Sequence, residues 1–298
     1  MRTTIIEAIG ELAHGMIFRS PNAMVGKIIH TFTNTIYIKT DDDNLICITS
    51  YRIMAPMNVI IPKEFDFAIL NHHNDNNCEE VYCEKDGFRI QDIYFDSSKS
   101  AVYHRRATDS SRISRQLSGN ALAAARMLSN VNRKDSILDA NSPFHNRLLS
   151  VASKMAYAAG SKSFDEIQDI IPHTIGLGSG FTPSGDDFLA AFLFTLNQIL
   201  AQSQGEPAHI FRIEGSTNWA SRKFIEYAQK GFVIEPLESY VNALLKGAKQ
   251  QEVAQRLDTL VGVGHSSGVD ASVGAVMAMS YDMGKQFCDK LTQSIFCL

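Results

Sequence analysis

The sequence has no concentration of positive charge. Its 28 Lys and Arg residues are outnumbered by 32 Asp and Glu, for a net charge of -4 over 298 residues and a pI near 6.1. A nucleic-acid partner is thereby excluded, because binding phosphates needs clustered cations that displace counterions. The one compact basic cluster, His104-Arg105-Arg106, is too short to alter that. Cysteine is also scarce. Five residues, an odd number without regular spacing, do not form a disulfide framework, and Cys78 and Cys83 stand too far apart for a Cys-x-x-Cys knuckle. A reducing compartment is expected. Long apolar runs are missing as well: Phe188 to Leu200 is broken by Thr195, Asn197 and Gln198 and falls short of the ~20 residues that span a bilayer. Glu7 and Glu11 interrupt what would have to be the apolar part of a signal peptide. The expected location is the cytoplasm, with no membrane partner.

What is present describes a globular protein. Hydrophobic residues make up 45% and charged residues 20%, enough to bury a core, and the length suits two domains better than one. After a short helical pattern from Ile5 to Leu12, the chain to about Tyr103 reads as strands and turns. Ile36 to Ile38 and Leu45 to Ile48 flank the acidic turn Asp41-Asp42-Asp43-Asn44, and Val81 to Cys83 meets Phe88 to Phe95 across Lys85-Asp86-Gly87, a hairpin pattern. Beyond Thr108 the pattern turns helical. Helices are expected over Leu117 to Val131, over Phe144 to Ala159 between Pro143 and Gly160, and from a Ser163/Glu166 capping box to Pro172. Others are expected over Phe188 to Leu200, Trp219 to Gln229, Leu237 to Leu245, Glu252 to Leu260 and Val269 to Met283. The predicted fold class is α+β: an N-terminal antiparallel sheet or small barrel over residues 1–107, then a mainly helical domain over 108–298. The polar stretch Asn71 to Cys78 holds histidines without metal-ligand spacing and reads as a solvated loop.

Two glycine-rich segments carry the chemistry. The first is Ile175-Gly176-Leu177-Gly178-Ser179-Gly180-Phe181-Thr182-Pro183-Ser184-Gly185-Asp186-Asp187, followed directly by an apolar helix. Its glycines allow successive amides to turn toward one point, and the helix adds its free N-H groups and positive dipole end. Such a geometry binds a phosphate or carboxylate. No lysine follows the glycines as in a Walker loop, and their spacing misses the dinucleotide fingerprint. By itself the segment is better explained by Ser184 and Asp187 forming a helix capping box, with both Asp side chains offsetting the dipole.

The second segment, Val261-Gly262-Val263-Gly264-His265-Ser266-Ser267-Gly268-Val269-Asp270, repeats the plan: Gly-x-Gly, then Ser-Gly-x-Asp, then a small apolar helix. Ser184 and Asp187 correspond to Ser267 and Asp270. Capping does not require a preceding Gly-x-Gly, so the expectation is that both helix N-termini face one pocket; an old duplication kept for packing is the bland alternative. Gly264 to Gly268 also fits the G-x-S-x-G elbow of serine hydrolases. That fold requires a histidine downstream of the serine, and His265 is the last one in the sequence.

At Gly176 to Asp187 and again at Gly264 to Asp270 the sequence resembles the AllH family of bacterial proteins. Thr217-Asn218 opening a helix and Gly231 to Leu237 closing it are similar too. The resemblance covers Ile171 to Met279 closely and the β-rich part loosely; Phe181 stands where the family commonly has Leu. The family's best-known member is a subunit assigned to oxamate carbamoyltransferase in allantoin breakdown, moving a carbamoyl group between oxalurate and phosphate to give oxamate and carbamoyl phosphate. The resemblance thus implies a transferase subunit of purine catabolism that works with other subunits encoded nearby.

Joined to this, the residue-level reading makes Gly178, Ser179, Gly180, Thr182, Ser184, Gly185, Asp186, Ser266 and Gly268 the candidate substrate-binding positions. His265, Ser267, Asp187 and Asp270 are the candidate catalytic ones, with His265 a proton shuttle or hydrogen-bond donor. Asp187 and Asp270 are expected to orient the glycine loops rather than hold Mg²⁺, so neither cofactor nor metal is implied. The rival from a different class is a non-catalytic subunit whose loops sense an anion or control assembly.

Overall fold

The computed structural model describes residues 2–70, 79–105, 117–131, 133–204 and 208–296. The polar stretch Asn71 to Cys78 lies outside them, as does Arg106. The chain divides into two compact units, Met1–Ala107 and Thr108–Leu298, a β-rich one followed by a helical one; the fold class is α+β.

The first unit is one curled sheet. Its strands are β1 (Arg2–Ile5), β2 (Ala8–Gly10), β3 (Met24–Phe32), β4 (Thr35–Thr40), β5 (Leu45–Thr49), β6 (Asn58–Ile60), β7 (Glu80–Glu84), β8 (Gly87–Ile90), β9 (Ile93–Asp96) and β10 (Ala101–Tyr103), with helix α1 (Glu11–Ile17) after β2. The spatial order is β1-β9-β8-β7-β3-β4-β5-β6-β2-β10. Most pairs are antiparallel, as the hairpin patterns led one to expect, but β1–β9, β10–β2 and β5–β6 are parallel. The run 2–10 pairs with β9 and β10 at its successive halves and with β6 at β2, so the sheet curls like a barrel.

Two expectations need correction here. The Ile5 to Leu12 pattern holds the end of β1, a bend at Ile6 and Glu7, and then β2 up to Gly10, with Ile6 and Ile9 fully buried in the sheet's core. A helix begins only at Glu11, after Gly10, where a Cβ would lie 2.2 Å from the Ala55 carbonyl oxygen. Phe88 to Phe95 is two strands rather than one, folded at Gln91, whose φ is 53°. The stacked rings of Phe88 and Phe95, 4.7 Å apart, sit in the sheet's apolar interior.

The second unit comprises α2 (Leu117–Leu128), α3 (His145–Gly160), α4 (Phe164–Thr174), α5 (Ser184–Gln204), α6 (Trp219–Gln229), α7 (Glu235–Leu245), α8 (Gln250–Val261), α9 (Ser267–Ala278), α10 (Ser280–Met283) and α11 (Cys288–Phe296). Ser163 caps α4 by accepting from the Glu166 amide. That helix runs two residues past Pro172, because a late proline removes one amide donor while Thr174 Oγ1 donates to the Ile170 carbonyl at 3.1 Å. Helices α5 and α9 are apolar on nearly every side. Phe188, Leu189, Phe192, Leu193 and Leu196 are fully buried, and every residue from Gly268 to Ala278 is buried, as a helix enclosed by others must be. They cross closely at Gly274, whose Cβ position lies 2.1 Å from the Phe188 carbonyl oxygen. This crossing brings the N-terminal ends of α5 and α9, and the two loops before them, together. No helix among the described residues is long and apolar enough to cross a membrane.

Candidate functional site

Both glycine loops have the same backbone plan. In the first, the Leu177 amide donates to the Thr174 carbonyl and the Gly185 amide to the Leu177 carbonyl; in the second, Val263 donates to Leu260 and Gly268 to Val263. Gly178 and Gly264 both have positive φ, 125° and 64°, and a Cβ on Gly178 would stand 2.6 Å from the Ser184 amide nitrogen. Gly185 and Gly268 let each helix start lie against the preceding turn, since a Cβ would stand 2.1 Å from Thr174 O and 1.8 Å from Leu260 O. Glycine at these positions is a packing requirement.

The loops meet. Thr182 Oγ1 and Ser267 Oγ are 3.1 Å apart. The serines do not act as caps: Ser184 Oγ donates to the Asp135 carbonyl at 3.1 Å, and α9 has no side-chain cap. Hydroxyls instead cross between loops. Asp187 has the Ser267 and Thr182 hydroxyls beside it, and Asp270 has those of Ser184 and Ser266. Each aspartate thus has the matching serine of the other loop beside it.

The electrostatics of this pair are unusual. Asp270 is fully buried, and one oxygen each of Asp187 and Asp270 is sealed from solvent without a hydrogen-bond partner. Burial, and then the negative charge of Asp270, hold the Asp187 carboxyl well above the ordinary carboxylate range. Burial pushes Asp270 up to about 6, against the Ile137 amide, which donates to its Oδ1 at 2.6 Å. Among the described residues nothing basic acts on either group; the opposing influences are hydroxyls and that one amide. Like charges buried together without a counter-ion favour the protonated form.

The remaining candidates divide clearly. Gly178, Ser179 and Gly180 make no backbone hydrogen bond through their amides among the described residues, and beside Gly180 a Cβ would meet open space. The amides of Gly264, His265 and Ser266 are equally unengaged there. Gly185 and Gly268 spend their amides inside the protein. So does the carboxylate of Asp186: it accepts from the Gly176 amide at 2.7 Å, from Ser221 Oγ at 2.6 Å and from Thr217 Oγ1, which fastens the first loop to the start of α6. His265 is exposed, its Nε2 3.3 Å from Asp135 Oδ2.

Sequence reasoning missed the third contributor, the turn from Arg133 to Ile137. Its Arg133 guanidinium donates to the Val261 carbonyl at 2.8 Å, and Asp135 and Ile137 reach Ser184, His265 and Asp270. Asp135 has φ 63°, a conformation Asp tolerates, but nothing in the local sequence announces that it faces the loops. No solved structure matches the chain. Residues 174–279 match the family model described as oxamate carbamoyltransferase subunit AllH, and on this segment, which holds both loops, the chain is AllH-like.

Proposed function

We propose that the chain is a carbamoyltransferase subunit that binds a small anion at the joined loops, with oxalurate and phosphate, or oxamate and carbamoyl phosphate, as the reacting pairs. The observation that carries this reading is the meeting of two like loops at Thr182 and Ser267, with unengaged amides on both. A phosphate or carboxylate oxygen suits the amides of Gly178 to Gly180, and the amides of Gly264 to Ser266 suit the oxyanion that develops at a carbamoyl carbon. In the phosphorolytic direction a phosphate oxygen attacks that carbon, the bond to the oxamate nitrogen breaks, and that nitrogen takes up a proton. His265, held by Asp135, is the exposed group suited to deliver it. Thr182, Ser266 and Ser267 supply hydroxyls suited to orient the substrate, and the buried Ser184 fixes the Asp135 turn beside Asp270.

The test is oxalurate phosphorolysis by the purified chain, alone and with the products of neighbouring genes. Carbamoyl phosphate should appear in at least one combination and should fall at least tenfold in Ser267→Ala, the usual scale for losing one positioned donor. Tight phosphate binding without turnover in every combination would make the chain an anion-sensing or assembly subunit instead.

A further inference from the structure

The loop pair contains a contradiction of charge. An anion is to bind where two carboxylates already stand at the positive ends of two helices, and among the described residues no Lys, Arg or His pairs with either. Each carboxylate keeps one sealed oxygen unpartnered, and Asp270 is fully buried. An unpartnered buried carboxylate costs several kcal/mol unless a proton or a cation answers it. A proton would quiet one of the two oxygens and leave the approaching anion uncompensated. A divalent ion would satisfy both carboxylates and attract the anion as well.

We propose that Asp187 and Asp270 together hold a hard divalent cation of the Mg²⁺ or Mn²⁺ kind between the two loops, and that the substrate anion completes its oxygen shell. Among the described residues no three His, Cys, Asp or Glu side chains are grouped to hold a metal, so the site offers two charged ligands and leaves the rest of the shell to other oxygens. It suits Mg²⁺, which is commonly bound through one or two carboxylates, with waters and substrate oxygens supplying the rest. The neighbouring hydroxyls of Thr182, Ser184, Ser266 and Ser267 are hard oxygen donors, to the ion directly or to its waters. The crossed arrangement then has a purpose that loop orientation alone does not supply: each loop contributes one charged ligand, and the ion ties both to the guest. This departs from the sequence-based expectation that the aspartates only orient the loops.

The inference shares its loops with the proposed carbamoyl transfer, but cation binding is measured without substrate and fails or stands separately. Mn²⁺ is titrated into the full chain at pH 8 and followed by electron paramagnetic resonance. One bound ion, displaced by Mg²⁺, is expected. Asp187→Asn and Asp270→Asn, checked for folding by circular dichroism, should each weaken it by more than about 100-fold, since even outer partners of a metal cost 10–100-fold. Should the variants not fold, hydrogen exchange on the wild-type chain localises the ion: Mn²⁺ should slow the Ile137 amide and the segments around 182–187 and 266–270. No Mn²⁺ binding at millimolar concentration, unchanged binding in both variants, or protection confined to other segments would overturn the cation site. Phosphorolysis by chelator-treated protein at the full rate would overturn it too while leaving the transferase reading intact.

Discussion

The two glycine loops share a backbone plan and differ in what fastens them. The first is tied down by its own Asp186, whose carboxylate reaches Gly176, Thr217 and Ser221. At the matching position the second has Val269, fully buried, and is fastened from outside, by the Arg133 guanidinium on the Val261 carbonyl and the Ile137 amide on Asp270. What both retain is the glycine that admits the helix start, the serine that reaches across, and the aspartate. Packing can be solved in two ways within one molecule; the crossed Ser and Asp pairs are the part that was kept the same.

The most severe way to break the likeness is at the admitting glycines. Gly268→Ala, with its Cβ 1.8 Å from a backbone oxygen, should cost about 3 kcal/mol or more in chemical denaturation. Gly185→Ala, at 2.1 Å, should follow closely. If either variant is as stable as the parent, the shared backbone plan is wrong. The aspartate pair comes next. A raised carboxyl pKa favours the folded state below the unfolded value near 4, and this benefit is lost as pH rises through the folded value. Asp270, at about 6, should therefore lower the stability of metal-free protein by about 3 kcal/mol between pH 4 and 7, and Asp187 should extend the decline upward. Asp270→Asn should flatten that profile in thermal melts; an unchanged slope would contradict the burial described for the pair.

Asp186→Asn sharpens the contrast between the anchors. It should destabilise by about 2 kcal/mol, because buried donors lose a charged acceptor, and should loosen the first loop to hydrogen exchange while sparing the second. Equal loosening of both would deny them separate fastenings. The smallest effect is expected at His265→Asn, where an exposed contact to Asp135 is worth under ~0.5 kcal/mol. The melting temperature should hardly move while phosphorolysis slows; unaltered turnover would remove His265 from the mechanism.

Much of this was legible in the residues. The Gly-x-Gly and Ser-Gly-x-Asp matches set the two loops in register, and the capping box at Ser163 marked a helix start that the structure keeps. The crossing of hydroxyls between loops was not legible, because it depends on α5 meeting α9 at Gly274 and Phe188, a contact between distant segments. Asp135 stayed hidden for the same reason. In the β-rich unit, Ile5, Ile6 and Ile9 fit helical spacing, yet pairing with β9 and β6 decided their conformation. Local periodicity carries no information about such partners.

That pairing has a consequence for how the first unit assembles. Arg2 to Gly10 finds its parallel neighbour only at Ile93 to Tyr103, some ninety positions further along. During synthesis β2 can pair with β6 early, but β1 borders only β9 and must wait until most of the unit has emerged. Closing so large a loop is slow relative to forming the hairpin of β4 and β5. The seam should therefore be the last part of the sheet to set, and in that interval it is the stretch most in need of a chaperone.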